Sequence, residues 1–487
     1  MTRRLLIALL CVGPLAVHAA RSPQLPRSVA RVRMTTQAYD FLQPWRKKPP
    51  RSHQAFGAVL EGGRILVSAE LMQNHTYIEV QKPGTGEKTP AEVEAVDYSA
   101  NLALISVADK EFMSTFKPLQ IGRSPRIGDE VEVWRLQEND ALLRTEALLT
   151  VVRTTPYPRA DLSLPAYHLT SSLPSQATGV SLPLVQKGKL VGVVIRNDAD
   201  TQSLFAIPES VIRHFLADLE DGEYEGFPKL GIGLADTQDP QFKEYIGLPP
   251  DAGGVYITSL GSGSPGEKAG LQVGDVIQSI AGHAIDQNGD YEHRLYGRMY
   301  LSYLVSVECQ GGDVLQLGVL RDGEPVQVEV VPRRKDPADS VSPPYVIDTA
   351  PRYLIVGGLV IQELSRQYLM SWGDNWEQTA DQKLVYYHAN QETLFPEGDR
   401  KIVFLSRVLP TSATTGYTSL NQLVLAKVND HAIRSLEDVQ EALKTPDEGL
   451  LHFEFEDSPR VITLSHAAAA RANQMLRRRY GITIMRQ

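Results

Sequence analysis

Cysteine is nearly absent: the 487 residues hold two, Cys11 and Cys309. So few thiols rule out a disulfide framework and a cysteine zinc site, so stability must rest on packed cores. Positive charge is also short. Lys and Arg number 49 against 58 Asp and Glu, a formal net charge of -9. That balance disfavours a general nucleic-acid role, which needs a basic footprint to displace counterions. After residue 20 no apolar run approaches the ~20 residues of a membrane-spanning helix, and no low-complexity tract interrupts the chain. The glycine-rich Gly261-Ser-Gly-Ser-Pro-Gly266 has no Gly-Lys-Ser/Thr after it and is therefore no phosphate loop. Neither a cofactor nor a metal is expected.

What is present begins with Arg3-Arg4, an apolar run from Leu5 to Val17, and small residues at Ala19-Ala20. This pattern predicts a cleavable signal peptide over 1–20 and an exported, periplasmic or secreted protein. Cys11 lies inside the apolar run without small residues just before it, which argues against lipid attachment. Residues 21–54, rich in Arg, Pro and Ser, read as an N-terminal lead-in with Trp45 as a docking anchor.

From 55 to 222 short β runs alternate with turns, among them Phe56–Leu60, Arg64–Ser68, Thr76–Val80, Ala103–Val107, Glu130–Trp134 and Leu190–Ile195. Regular short strands argue a sandwich or barrel. A helix follows Pro208, with Val211, Ile212, Phe215 and Leu216 on one face. A second unit spans 227–333, with strands Gly254–Thr258 and Val276–Ile280. In Val305-Ser-Val-Glu-Cys309 the cysteine alternates with valines and is expected on a buried strand. Residues 334–344, with Pro337 and Pro343-Pro344, read as a linker. A third unit, 345–465, has strands Lys401–Leu405 and Leu423–Val428 and a helix Leu436–Leu443 capped by Ser435. Its order echoes the second unit, as diverged copies of one repeat would. The remainder, 466–487, is a helix and tail whose Arg477-Arg478-Arg479 complements the helix macrodipole.

Several motifs point the same way. Ala269-Gly270-Leu271-Gln-Val273-Gly274-Asp275-Val276-Ile277 and the φ-Gly-φ triplet Leu230-Gly231-Ile232 match PDZ segments. Arg64–Leu71, Asn101–Ile105 and Thr178–Pro183 match the three stretches that carry a Ser-His-Asp triad. Tyr353–Val360, Tyr368–Gly373 and Val403–Pro410 complete the set. Together the chain resembles the HtrA/Deg (Do-like) serine protease family, in the branch with a derived C-terminal PDZ domain. The resemblance covers nearly all of the chain after residue 20. It implies a mainly β protein, a trypsin-like double β-barrel followed by two PDZ-like domains, assembling into homo-oligomers.

Against the family pattern the catalytic side chains are missing. Glu70 stands where T-N-A-H carries histidine, Asn101 where aspartate precedes the L-A-L-L strand, and Val180, or Gly179 with one residue of slip, where G-N-S-G-G-P carries serine. Attack by a serine needs a base that takes its proton near neutral pH, and an exposed carboxylate is too acidic for that. Ser181 and Leu182 also replace the oxyanion-hole glycines. His53, His75 and His168 fit no triad position, so the degenerate triad of Glu70, Asn101 and Val180 predicts no peptidase activity. Ser181 acting with Glu70 as a reduced dyad is the alternative.

What remains is peptide capture by β-augmentation, with the terminal carboxylate held by backbone N–H groups of a φ-Gly-φ loop. The candidates are Leu230, Gly231 and Ile232 in the first PDZ-like unit and Gly357, Gly358 and Leu359 in the second. The second set serves equally as a subunit contact. The expected function is therefore an exported pseudoprotease that binds unfolded or C-terminal polypeptide segments, chaperone-like or scaffolding, in protein quality control. The alternatives are an active serine endopeptidase with an unusual site and a regulatory subunit of active relatives.

Overall fold

The structure, a computed structural model, describes residues 27–157, 162–174, 181–220, 222, 224–482 and 485–486. Its first sheet has seven antiparallel strands in the spatial order Lys88–Pro90, His75–Gln81, Val29–Thr36, Arg51–Val59, Arg64–Ser68, Leu102–Ser106 and Glu92–Asp97. Val32, Ile65, Val67, Ala103 and Ile105 fill its inner face. The strand Val29–Thr36 lies mid-sheet, within the stretch whose composition suggested a lead-in. Arg31 hides that strand's alternation: it is buried and paired at 3.0 Å with Asp140, beyond reach of a one-dimensional reading.

The second sheet closes into a barrel of Ser163–Ser171, Ser203–Pro208, Lys189–Asp198, Leu182–Gln186, Glu130–Leu136 and Leu142–Pro156. The helix Glu209–Asp218 follows with Pro208 as its N-cap and buries Val211, Ile212 and Phe215 completely. Each such side chain contributes roughly 1.5–3 kcal/mol by leaving water.

Next comes a sheet ordered Ile232–Ala235, Val255–Leu260, Val276–Ile280, Leu315–Arg321 and Glu324–Val330. Its apolar residues join the second barrel's core in one continuous cluster. His214 of the barrel's helix stacks on Phe227 at 4.4 Å and sets its two ring nitrogens 3.1 Å from the carbonyls of Val307 and Gly226. The stretch Leu304–Glu308 is a π-helical turn, correcting the expected strand. Leu304, Val305, Ser306 and Val307 are all buried, a pattern a half-exposed strand does not give. Cys309 just beyond is buried as expected.

Residues 334–344 are ordered rather than a free tether. Pro337, Val341 and Ser342 are buried, and Lys401 donates to the carbonyl of Ser340 at 2.7 Å. The last sheet runs Val461–Ser465, Leu450–Phe455, Leu423–Val428, Val403–Val408, Leu359–Glu363, Tyr353–Val356 and Met485–Arg486. Its first five strands repeat the preceding sheet's order in reverse listing, as duplication predicts. Trp45 packs edge-on against Tyr353 at 6.4 Å, docking the segment between the first two strands on this domain.

Candidate functional site

Three stretches named from the sequence meet between the barrels. Strand Arg64–Ser68 runs into a single 3₁₀ turn, Ala69–Met72, which carries Glu70. Asn101 ends the turn entering strand Leu102–Ser106 and has φ 55°, a left-handed conformation that asparagine tolerates better than most residues. Asp97 braces that turn by accepting from the N–H groups of Ser99 and Ala100, and from the Tyr224 hydroxyl at 2.6 Å. Ser181 enters strand Leu182–Gln186, and its carbonyl accepts from Phe56 N–H at 3.0 Å. Gly179 and Val180 lie outside the described residues.

The side chains close on one another. Ser68 N–H donates to Ser181 Oγ at 3.0 Å, and Ser68 Oγ donates to Asn101 Oδ1 at 2.9 Å. The same Asn101 oxygen accepts from Glu70 N–H at 2.8 Å. Ser68, Asn101 and Ser181 are 1–2 % exposed. Asparagine here is a structural acceptor that ties two turns together, and Ser181 is an acceptor enclosed beneath the surface. Sequence reasoning missed Ser68 altogether; only its position two before the motif's last residue hinted at it.

No hydrogen bond joins Ser181 to Glu70 among the described residues. The nearby histidines are turned to other work. His75 Nδ1 lies 3.0 Å from the Met72 carbonyl. His168 sits on the second barrel, takes a bond from Arg153 at 3.2 Å and packs on Phe205. Burial, then the charges of Arg153 and Arg196, push its pKa down to about 4. A nucleophile, a base and an orienting acid in one chain of hydrogen bonds is the geometry acyl transfer requires, and these residues do not form it.

The φ-Gly-φ loop of the middle domain has a different geometry. Gly231 has φ 70°, and a Cβ there would lie 2.5 Å from Ser264 Cβ, so glycine is required. The Leu230 carbonyl accepts from Gly266 N–H and the Gly231 carbonyl from Gly261 N–H, both at 2.9 Å. With the carbonyls held on one side, the N–H groups of Leu230 and Gly231 have no acceptor among the described residues. Ile232 then begins a strand that pairs only with Val255–Leu260 and leaves its outer edge unpaired among the described strands.

The corresponding candidates in the last domain are corrected by the structure. Gly357 and Gly358, with φ 64° and 122°, form a two-residue turn that folds Tyr353–Val356 back onto Leu359–Glu363. The edge that a peptide would join is thus filled by the chain's own strand, and Leu359 pairs with Val356. Gly357 N–H donates to Asn473 Oδ1 at 2.8 Å, so a side-chain amide sits where a terminal carboxylate would. Gly-Gly between apolar runs is a hairpin signal that was legible in the sequence.

A trypsin-like protease fold followed by two PDZ domains is the class these features define. PDZ domain models match residues 228–331 and 342–486. Protease Do-like 2, chloroplastic, of Arabidopsis thaliana is 28% identical over 475 residues, covering 96% of this chain and 76% of the relative. Protease Do-like 4, mitochondrial, of the same plant is 26% identical over 453 residues, covering 92% of this chain and 82% of the relative. Among solved structures, a serine-to-alanine variant of the HtrA-type protease AlgW with decapeptide shares the fold at TM-score 0.50 and 18% identity, over 64% of this chain and 96% of that one. The chain thus carries two PDZ domains and is similar over nearly its whole length to Do-like proteases.

Proposed function

We propose that this protein is a pseudoprotease: it captures polypeptide C-termini or unfolded segments at its first PDZ domain and releases them uncut. The observation that carries the reading is the enclosed Ser181 hydroxyl, 2% exposed and accepting from Ser68 N–H. Among the described residues no imidazole bonds to it and an amide stands at Asn101, so none of them takes a proton from it. Support for capture comes from the open edge at Ile232–Ala235 and the two N–H groups of Leu230 and Gly231 beside it. The proposal extends to an exported location, on the residue pattern of 1–20, and to assembly into homo-oligomers. It makes the protein chaperone-like or a scaffold in protein quality control.

Incubation with unfolded casein tests both halves. Casein is expected to stay full-length while its aggregation slows, and a fluorophosphonate is expected to leave the protein unlabelled. Cleavage or labelling that disappears in Ser181→Ala would return the protein to the active endopeptidases.

A further inference from the structure

Where the first barrel, the stretch 333–352 and the second PDZ domain meet, they enclose a cavity of about 690 Å³. That volume lies in the range of small-molecule sites, which favour such domain junctions. Four aromatic side chains from three regions line it: Tyr39 and Phe41 of the N-terminal segment, Tyr98 of the turn before Asn101, and Tyr345 of the connecting stretch. Aromatic walls of this kind offer flat apolar faces.

The charges in the walls do not cancel. Glu363 is matched, since Arg352 holds both its carboxylate oxygens at 3.2 and 3.0 Å. Asp336 caps the turn at Pro337 by accepting from Ala338 N–H at 2.9 Å. Lys401 and Arg334 are half-buried. Arg334 lies over the Tyr224 ring, bonds Tyr345 and feels the charge of Asp97, which leaves Lys401 as the less compensated cation. The Lys401 ammonium gives two of its donors to the carbonyls of Ala338 and Ser340, and an ammonium has three. Burial lowers its pKa, although Glu363 and Asp339 oppose that effect. An ammonium kept partly out of water with carbonyls as its hydrogen-bond acceptors is costly unless an anion joins it.

We propose that this junction cavity binds a small organic anion with a flat apolar body, its charge beside Lys401 and Arg334 and its ring among Tyr39, Phe41, Tyr98 and Tyr345. The site is separate from the peptide edge and from Ser181. Because Tyr98 belongs to the turn that ends in Asn101, and Tyr345 and Arg334 to the connecting stretch, a ligand there bridges all three bodies. Occupancy then sets how firmly the second PDZ domain is held to the first barrel.

Calorimetry of the whole protein with 2-naphthoate and its neutral analogue 2-naphthamide tests this. The acid is expected to bind one per chain and the amide about tenfold more weakly, as loss of one charge-assisted hydrogen bond predicts. Lys401→Met should narrow that difference, and Lys401→Met with Arg334→Met should remove it. Ala350→Trp, which adds bulk to the cavity wall and removes no charge, should abolish both while the melting temperature holds. No heat from the acid, an amide as tight as the acid, or unchanged affinity in Ala350→Trp would each overturn the proposal.

Discussion

In the first PDZ domain the strand Ile232–Ala235 ends its sheet; in the second, its counterpart Leu359–Glu363 lies inside, with Tyr353–Val356 on its flank. Both domains present a glycine of positive φ before that strand. In one, the N–H groups of Leu230 and Gly231 have no acceptor among the described residues, whereas in the other Asn473 takes the N–H of Gly357. An edge strand is a template for another chain unless it is covered. Duplication thus yields one edge left for a guest and one covered internally, and the choice turns on a two-residue loop. Gly357-Gly358 lets the preceding strand fold straight back, while Phe227, before Leu230, stacks on His214 of the barrel's helix instead.

The largest effect expected from breaking this contrast is at Gly358. A valine there meets φ 122° and the Leu409 carbonyl at 2.7 Å from its Cβ, costing about 4 kcal/mol of strain and overpacking. Urea unfolding should show that loss while peptide binding to the first domain stays as it was. Acid should also loosen the second domain. Burial, and then Arg366, pushes His388 down to about 4 beside Ser342. The unfolded chain therefore binds the proton between pH 6.5 and 4 while the folded chain does not. The stability His388 contributes is complete above 6.5 and falls as pH drops through that window, by up to about 3 kcal/mol. His388→Gln should flatten that part of the stability profile.

At the open edge, Gly231→Val is expected to weaken a C-terminal peptide about tenfold to a hundredfold, through strain at φ 70° and collision with Ser264. Unchanged affinity by calorimetry would discard the site. The smallest effect is Asn101→Ala, which strips the acceptor from Ser68 and Glu70 N–H and should cost about 1–2 kcal/mol. Peptide affinity should not move, since Asn101 bonds Ser68 and Glu70 and not the Leu230–Ile232 loop among the described residues.

Much of this was legible before any coordinates. Short strands with turns between them, the helix after Pro208 and the repeat of one sheet order follow from local alternation and turn chemistry. Ser435 and Asp438 cap the later helix as their spacing predicts. What escaped were features made by long-range pairing. The strand Val29–Thr36 was obscured by Arg31, whose partner Asp140 is 109 residues away. The second domain's occupied edge needed Asn473, 116 residues from Gly357. At the barrel cleft, sequence told which residue types stand at the three motif positions. It did not tell that Ser181 points into the backbone of Ser68, because that direction depends on how two separate sheets abut.

The continuous core shared by the second barrel and the first PDZ domain, clasped by His214 and Phe227, has a consequence for any captured chain. A peptide end seated at Leu230–Ile232 would be anchored at a fixed address, not on a swinging arm. The length of client able to touch the rest of the molecule is then a matter of contour length and effective concentration, with no domain rotation needed to bring it near.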